Sequence, residues 1–182
     1  MSKTSFLPPE ELESPSWYAV YVRHQSEYKI SSVIRDKLGI ESLVPSLTLW
    51  KKRGNRESVI TKPVFGSYVF IKTNLRAINL RLLYSINGIF DLVRQGGAPA
   101  PIAEKEIESV NVMLASGAHL HEMEFSRRLK PYDRVEVTGG PLAGAVGYFM
   151  RTNIKSGRFV VSLDLFNRAL VTELEADLVK AW

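Results

Sequence analysis

The chain has 182 residues, of which 45% are hydrophobic, so it is long enough for one generous or two small packed domains. Its 24 Lys and Arg exceed its 19 Asp and Glu and give a formal charge of +5, which suits contact with phosphates or an acidic partner. The absence of cysteine excludes disulfides, thiolate catalysis and thiolate-bound zinc. Without an apolar run of ~18 residues or a signal-peptide pattern in residues 1–16, a cytoplasmic protein with no membrane segment is expected.

The first half of the chain predicts strands interrupted by a helix. Residues 17–22 are apolar on both faces, which predicts a central strand covered on both sides. A helix capped by Gly39 should follow, because four apolar residues recur at helical spacing, namely Ile30, Val33, Ile34 and Leu38. Residues 40–50 read as extended. Residues 51–56 form a basic hairpin tip whose turn is Gly54-Asn55, and the return strand leads into an aromatic strand ending at Lys72.

Two more helices and another strand are predicted before residue 117. Asn74 is a plausible N-cap for a helix with one apolar face, formed by Leu75, Ile78 and Leu82. Residues 89–94 read as a short strand and residues 95–101 as a loop with two glycines and two prolines. Ile107, Val110 and Leu114 then line a third helix. Strands alternating with helices predict an α/β sandwich over this region.

The last third of the chain has an all-β pattern. Short strands recur at regular spacing over residues 134–138, 145–152, 158–163 and 169–173. Gly139, Gly140 and Gly144 permit a tight turn between the first two of them. We therefore predict an α+β protein with a flexible leader (1–16), an α/β domain (17–117), a linker (118–128) and a small β-barrel (129–182).

Several motifs resemble those of the NusG family of transcription elongation factors, and they occur in family order. They are the opening Trp17-Tyr-x-x-Tyr21, the strand Pro63-Val-Phe-Gly-Ser-Tyr-Val-Phe70, Ala100-Pro-Ile102 and the glycine-rich segment 133–149, which resembles a KOW motif. The similarity covers residue 17 to the C-terminus. It implies an N-terminal α/β sandwich of the NGN type followed by an SH3-like KOW barrel, in a monomeric factor that suppresses pausing or termination.

The resemblance implies a contact with the clamp helices of the largest RNA polymerase subunit through Tyr21, Phe65, Tyr68 and Phe70. Strand alternation places Tyr68 and Phe70 on one face, and large aromatic rings favour protein interfaces. The alternative is that these rings fill the protein's own core. Gly66-Ser67 stands where the family commonly has proline after the phenylalanine, so the local backbone departs from the family pattern.

A second implied site lies at the end of the first strand and the start of the first helix. The matching region of RfaH-like proteins contacts bases of the nontemplate DNA strand, and here it contains Arg23, His24, Gln25, Ser26 and Lys29. Cationic side chains can neutralise phosphates, and amide or hydroxyl groups can bond base edges. The alternative is an ordinary solvated helix start. The basic tip offers a further surface for DNA.

Two further contacts are implied by the alignment with the family alone. Asn79, Leu80 and Arg81 fall where specialised relatives touch the polymerase gate loop. Phe166 and Arg168 fall where NusG proteins meet a ribosomal small-subunit protein or the termination factor Rho. Ala145 stands where the family often has phenylalanine, which favours the ribosomal protein over Rho.

Other functions fit the sequence less well. The segment Gly139–Gly144 lacks the Gly-Lys-Ser/Thr ending of a phosphate-binding loop, and no Gly-x-Ser-x-Gly elbow occurs, so we expect neither an enzyme nor a cofactor or metal. A ribosome-associated KOW protein that binds RNA is the first alternative. A general, housekeeping NusG is the second, although the region from Arg23 to Lys29 and Pro63-Val-Phe65 look most like the specialised RfaH and UpxY groups.

Overall fold

The computed structural model describes residues 14–53, 56–117, 120–124, 133–151, 156–163 and 168–182. It is a mixed α/β structure with three helices in that part of the chain. The helices are α1 (Glu27–Leu38), α2 (Leu80–Tyr84) and α3 (Glu104–Ala115). Strands up to residue 102 are β1 (Ser16–Val22), β2 (Glu41–Leu43), β3 (Ser46–Arg53), β4 (Arg56–Pro63), β5 (Tyr68–Thr73), β6 (Ile89–Leu92), β7 (Arg94–Gln95), β8 (Ala98–Pro99) and β9 (Pro101–Ile102). The later strands are β10 (His121–Glu124), β11 (Asp133–Val137), β12 (Val146–Arg151), β13 (Ser156–Leu163), β14 (Arg168–Glu175) and β15 (Val179–Ala181).

The chain divides into two compact units. Of the described residues, the first unit contains those from 14 to 44 and from 66 to 102, and the second contains those within 45–65 and 103–182. This division differs from the predicted domains, because the β3–β4 hairpin and α3 both group with the C-terminal strands. The predicted β-barrel over residues 129–182 stays a prediction.

The first unit is built on a five-stranded antiparallel sheet in the order β2-β5-β1-β6, with β9 also pairing with β1. The prediction that residues 17–22 form a central strand is confirmed. One face of the sheet packs against α1 and α2 through a cluster that includes Val20, Val69, Ile34 and Leu83. Burial of such aliphatic side chains contributes roughly 1.5 to 3 kcal/mol each and is the main source of stability for this layer.

The start and end of α1 agree closely with the sequence pattern. Ile30 and Ile34 are buried, and the helix ends at Gly39, which adopts φ of 64° and donates its N–H to the carbonyl of Arg35. The second helix differs from the expectation. Asn74 caps a turn by accepting a hydrogen bond from the Arg76 N–H at 2.9 Å, and α2 begins only after Asn79.

The second unit contains the β3–β4 hairpin and a six-stranded antiparallel sheet in the order β10-β14-β13-β12-β11-β15. The four strands predicted in the last third of the chain are present as β11 to β14. Residues 121–124 were expected in the linker but form β10, which pairs with β14 from His121↔Val171 to Glu124↔Arg168. The segment is short and lies in a mostly polar stretch of the sequence, so its pairing with β14 was not predicted.

The glycine-rich turn between β11 and β12 is only partly as predicted. Gly140 and Gly144 have φ of 73° and 82°, in the left-handed region that favours glycine. Gly139 instead has an extended backbone with φ of −155°. The turn contains a short 3-10 segment, Gly140–Leu142, and returns the chain through hydrogen bonds of Val137 with Ala145 and Gly144.

A buried serine joins α3 to the C-terminal sheet. The Ser109 hydroxyl is fully buried, donates to the Lys105 carbonyl at 2.7 Å and accepts from the Val146 N–H at 2.8 Å. The pairing of β12 with β13 begins only at Tyr148, so Ser109 supplies the acceptor that a neighbouring strand would otherwise give. This hydrogen bond ties the buried face of α3 to the start of β12 within the second unit.

We therefore expect Ser109→Ala to lower the free energy of unfolding by about 1 to 3 kcal/mol, because it leaves the buried Val146 N–H without an acceptor. Urea denaturation measures the change. Ser85→Ala is the matched control, since Ser85 makes a similar hydrogen bond to the Leu82 carbonyl at an exposed position. Equal effects of the two substitutions would contradict the role of Ser109.

Candidate nucleic-acid and protein interface

Three aromatic rings form an exposed cluster at one end of the first sheet. Tyr21 and Tyr68 are direct partners in the β1–β5 pairing, and their ring centroids are 5.7 Å apart. Phe90 lies on the other side of Tyr21 with its centroid at 5.2 Å. Tyr21 is 45% and Phe90 55% exposed, and Tyr68 is partly exposed. We call Tyr21, Tyr68 and Phe90 the aromatic surface.

Phe90 reaches this surface because of an irregularity in strand pairing. Tyr21 pairs with Asp91 and Val22 pairs with Ile89, so Phe90 is an extra residue in β6 opposite β1. Such a bulge bends the strand and redirects side chains. Ile89 and Leu92 both remain in the core, while Phe90 and Asp91 are exposed. Simple alternation would have put Phe90 on the same face as Leu92, which is why sequence reasoning missed it.

The other two rings of the predicted clamp contact are not exposed. Phe65 is 1% and Phe70 is 0% exposed, whereas Tyr68, two residues before Phe70 in the same strand, retains accessible surface. The structure therefore brings together Tyr21 and Tyr68 of the four predicted residues and adds Phe90. Phe65 and Phe70 lie in the interior, in agreement with the alternative that the sequence left open.

A network of polar groups holds Asp91 beside Phe90. One carboxylate oxygen of Asp91 accepts from the Leu92 N–H at 2.8 Å and from the Tyr84 hydroxyl at 3.0 Å. Arg94 donates to both oxygens at 3.2 Å. The hydrogen bond from Arg94 lowers the pKa of Asp91 below its usual value, while burial together with Asp91 raises the pKa of Tyr84. These four hydrogen bonds fix the bulged strand that presents Phe90.

The predicted DNA-binding residues lie together at the corner where β1 ends and α1 begins. Arg23, His24, Gln25 and Lys29 are exposed and Ser26 is partly exposed. We call these five residues the α1 corner. Its backbone is held by a turn in which the Ser26 N–H donates to the Arg23 carbonyl, and Gln25 adopts φ of 61°. The result is a compact patch of cationic and amide groups that face solvent.

Hydrogen bonds to neighbouring turns set the position of the α1 corner. The Arg23 N–H donates to the Gly88 carbonyl at 2.7 Å, and its guanidinium donates to the Asn87 side chain at 3.1 Å. His24 is 73% exposed in its side chain, and its Nδ1 lies 3.4 Å from the Ser67 hydroxyl. The Asn87-Gly88 turn thus supports Arg23 through both a backbone and a side-chain hydrogen bond.

The three residues predicted for the gate loop stand at the start of α2. The Asn79 side chain accepts a hydrogen bond from the Arg81 N–H at 3.0 Å and so caps the helix. Leu80 is partly buried and packs against the core of the first unit. Asn79 and Arg81 are exposed, so of this trio only Arg81 offers an exposed side chain that is not used by the cap.

We expect Asn79→Ala to destabilise the protein by about 1 kcal/mol through loss of this cap, and Arg81→Ala to leave stability nearly unchanged. Thermal denaturation of both variants measures the difference. A destabilisation by Arg81→Ala as large as that by Asn79→Ala would contradict the assignment of Asn79 as the cap.

The remaining predicted positions cannot be placed in a site. Phe166 lies outside the described residues, as do Gly54 and Asn55 at the hairpin tip. Arg168 begins β14, but its side chain and those of the basic tip residues are not among those described. In the described part of the chain, no helix is long and apolar enough to cross a membrane.

Comparison with known proteins identifies the family. A family model described as transcription termination factor nusG matches residues 15–111, more than half of the chain. The chain therefore belongs to the NusG family of transcription termination and antitermination factors.

Relatives of similar length extend the match over nearly the whole chain. The transcription termination/antitermination protein NusG of Rickettsia bellii is 22% identical and covers 96% of this chain and 94% of the relative. The protein of the same name from Escherichia coli is 23% identical, with 91% and 95% covered. A solved structure on domain interaction in Thermotoga maritima NusG is 18% identical, covers 93% of this chain and 98% of that one, and has a TM-score of 0.49.

Proposed function

We propose that this protein is a transcription elongation factor that binds the clamp helices of RNA polymerase through the aromatic surface. Membership of the NusG family and the exposed cluster of Tyr21, Tyr68 and Phe90 support the proposal. The cluster is the single observation that carries it, because aromatic rings with a polar tip are enriched in the centres of protein interfaces. Arg81 is proposed as a further contact on the opposite side of the DNA channel.

The α1 corner is proposed to read the nontemplate DNA strand. Arg23 and Lys29 would neutralise phosphates, while Gln25 and His24 would bond exposed base edges. The four side chains named are exposed and adjoin the aromatic surface in sequence, since Val22 alone separates Tyr21 from Arg23. Binding of polymerase would therefore bring the corner close to single-stranded DNA in the transcription bubble.

We further propose that the factor acts on a restricted set of operons by suppressing pausing or termination. The support is the mixture of cationic and amide groups in the α1 corner, because a good bidentate base contact discriminates between bases by about 1 to 3 kcal/mol. In this proposal the C-terminal sheet forms a KOW barrel that contacts a ribosomal small-subunit protein through Phe166 and Arg168. Rho is the weaker candidate partner for the same surface.

An elongation assay tests the restricted action. Wild type should reduce pausing on a template from its own operon and have at most a weak effect on unrelated DNA. The variant Arg23→Ala, Gln25→Ala, Lys29→Ala should lose that stimulation by about tenfold or more, the expected result of removing one or two base or phosphate contacts. Transcript lengths resolved over time give the pause lifetimes.

The control replaces two exposed basic residues outside the corner, Lys37→Ala and Arg76→Ala, which lowers the net charge by the same two units. Loss of activity in this control would show an effect of net charge alone. Equal stimulation of both templates by wild type would favour a general NusG. Co-purification with ribosomal subunits and without polymerase would favour a ribosome-associated KOW protein.

A further inference from the structure

A buried acidic residue lies in the middle of the α1 corner. Glu27, in the first turn of α1, is 2% exposed, although its sequence neighbours His24, Gln25 and Lys29 face solvent. Burial of a carboxylate is costly unless hydrogen bonds compensate for the lost water. The position of Glu27 therefore calls for a partner in the same unit.

The partner is the turn that leads into β5. Glu27 Oε1 accepts a hydrogen bond from the Ser67 N–H at 2.7 Å, a short distance typical of a bond to a charged acceptor. His24 Nδ1 lies 3.8 Å from the same oxygen and 3.4 Å from the Ser67 hydroxyl. One oxygen atom thus joins the start of α1 to the turn before Tyr68.

The backbone at Ser67 depends on this support. Ser67 has φ of 68°, a conformation that non-glycine residues adopt at some cost. Its carbonyl accepts from the Val22 N–H at 2.9 Å, so the turn is held from both sides, by the end of β1 and by Glu27. Without the Glu27 bond, the Ser67 N–H would lose its partner and the turn could relax.

We infer that Glu27 is a positioning residue that couples the two proposed contact surfaces. By holding the Ser67 turn against the start of α1, it orients Tyr68 of the aromatic surface and His24 of the α1 corner together. The effect of this positioning on binding rests on the proposed function, in which both surfaces contact a transcribing polymerase and its exposed nontemplate strand. The positioning itself concerns this chain alone and is measurable without a ligand.

Three substitutions at Glu27 separate the effect of side-chain length from the effect of charge. Glu27→Gln keeps an oxygen acceptor at the same reach and removes the charge. Glu27→Asp keeps the charge but shortens the side chain by one methylene, and Glu27→Ala removes both. Glu41→Ala is the matched control, because Glu41 is an exposed glutamate of the same unit.

The first measurement is amide hydrogen exchange of Ser67, with the NMR signals of the Tyr68 ring, in the free protein. Exchange at Ser67 should rise about tenfold in the Ala and Asp variants, the effect of losing one hydrogen bond of about 1.4 kcal/mol, with shifted Tyr68 signals. Glu27→Gln should stay within about threefold of wild type, as should Glu41→Ala. If Ser67 exchanges at the wild-type rate in both the Ala and Asp variants, Glu27 does not position the turn. If the Ala variant does not fold, the Ser67 exchange rate in the Asp variant alone decides whether Glu27 has this role.

The second measurement is binding to core polymerase and stimulation on the operon's own template. Both should fall together in Glu27→Asp and keep wild-type values in Glu27→Gln. A result in which Tyr68→Ala weakens polymerase binding, while Glu27→Asp speeds Ser67 exchange without weakening binding, would contradict the proposal that Glu27 couples the two contact surfaces. If wild type does not bind polymerase at all, the proposed function fails, while the exchange data and ring signals still decide whether Glu27 holds the Ser67 turn and positions Tyr68.

Discussion

Phe70→Ala should lower the free energy of unfolding by about 3 to 5 kcal/mol, a large part of the total stability of a small protein, which is of the order of 5 to 15 kcal/mol. The ring has no exposed surface, so its removal loses the transfer free energy of the whole side chain and leaves a cavity. Urea denaturation followed by circular dichroism measures the loss.

Tyr68→Ala is the internal comparison, because Tyr68 lies in the same strand on the same face and is partly exposed. It should cost much less stability than Phe70→Ala. If Phe70→Ala left the melt unchanged and abolished polymerase binding, Phe70 would belong to the interface that the sequence suggested. The same test applies to Phe65, which is 1% exposed.

This difference between Phe70 and Tyr68 shows where sequence patterns stop being informative. Alternation correctly assigns the two rings to one face of β5. Whether a side chain on that face is buried depends on which segments, distant in sequence, pack over it. The local periodicity of β5 carries no information about where those segments lie. An aromatic residue in a half-covered strand therefore could not be assigned to core or interface from the sequence alone.

Local signals were most reliable where several of them agreed. The spacing of Ile30 and Ile34 together with Gly39 predicted both the core face and the end of α1. At α2 the apolar spacing was present, but two asparagines competed for the N-cap, and the side chain of Asn74 caps an isolated turn while that of Asn79 caps the helix. Asparagine favours both turns and helix caps, so the sequence did not distinguish the two roles.

Long-range pairing explains the remaining differences. The placement of Phe90 comes from a bulge between β1 and β6, and β10 forms only because β14 offers an edge to residues 121–124. Glu27 and Ser67 meet across 40 positions of the chain. Each of these contacts joins segments that carry no shared motif, so the local sequence did not predict them.

Replacing Tyr21, Tyr68 and Phe90 together with alanine should weaken binding to core RNA polymerase by well over tenfold, with a melting temperature close to wild type. Burial of an aromatic side chain at an interface contributes roughly 1.5 to 3 kcal/mol, and each tenfold loss of affinity corresponds to about 1.4 kcal/mol. The three rings contact one another in the free protein, so part of their surface is already buried. The effect of the triple variant should therefore be smaller than the sum of three full burials.

Binding should be measured by a titration with core polymerase free of nucleic acid, so that the α1 corner has no DNA to contact. Tyr28→Ala is the matched control, because Tyr28 is a tyrosine of the same unit that is 44% exposed, compared with 45% for Tyr21, and lies outside the aromatic surface. Wild-type affinity in the triple variant would exclude the aromatic surface as the clamp contact. A weakened triple variant together with an unchanged Tyr28→Ala would locate the contact at the aromatic surface, where β5, β1 and β6 lie side by side. A triple variant that unfolds would show that the three rings have a structural role.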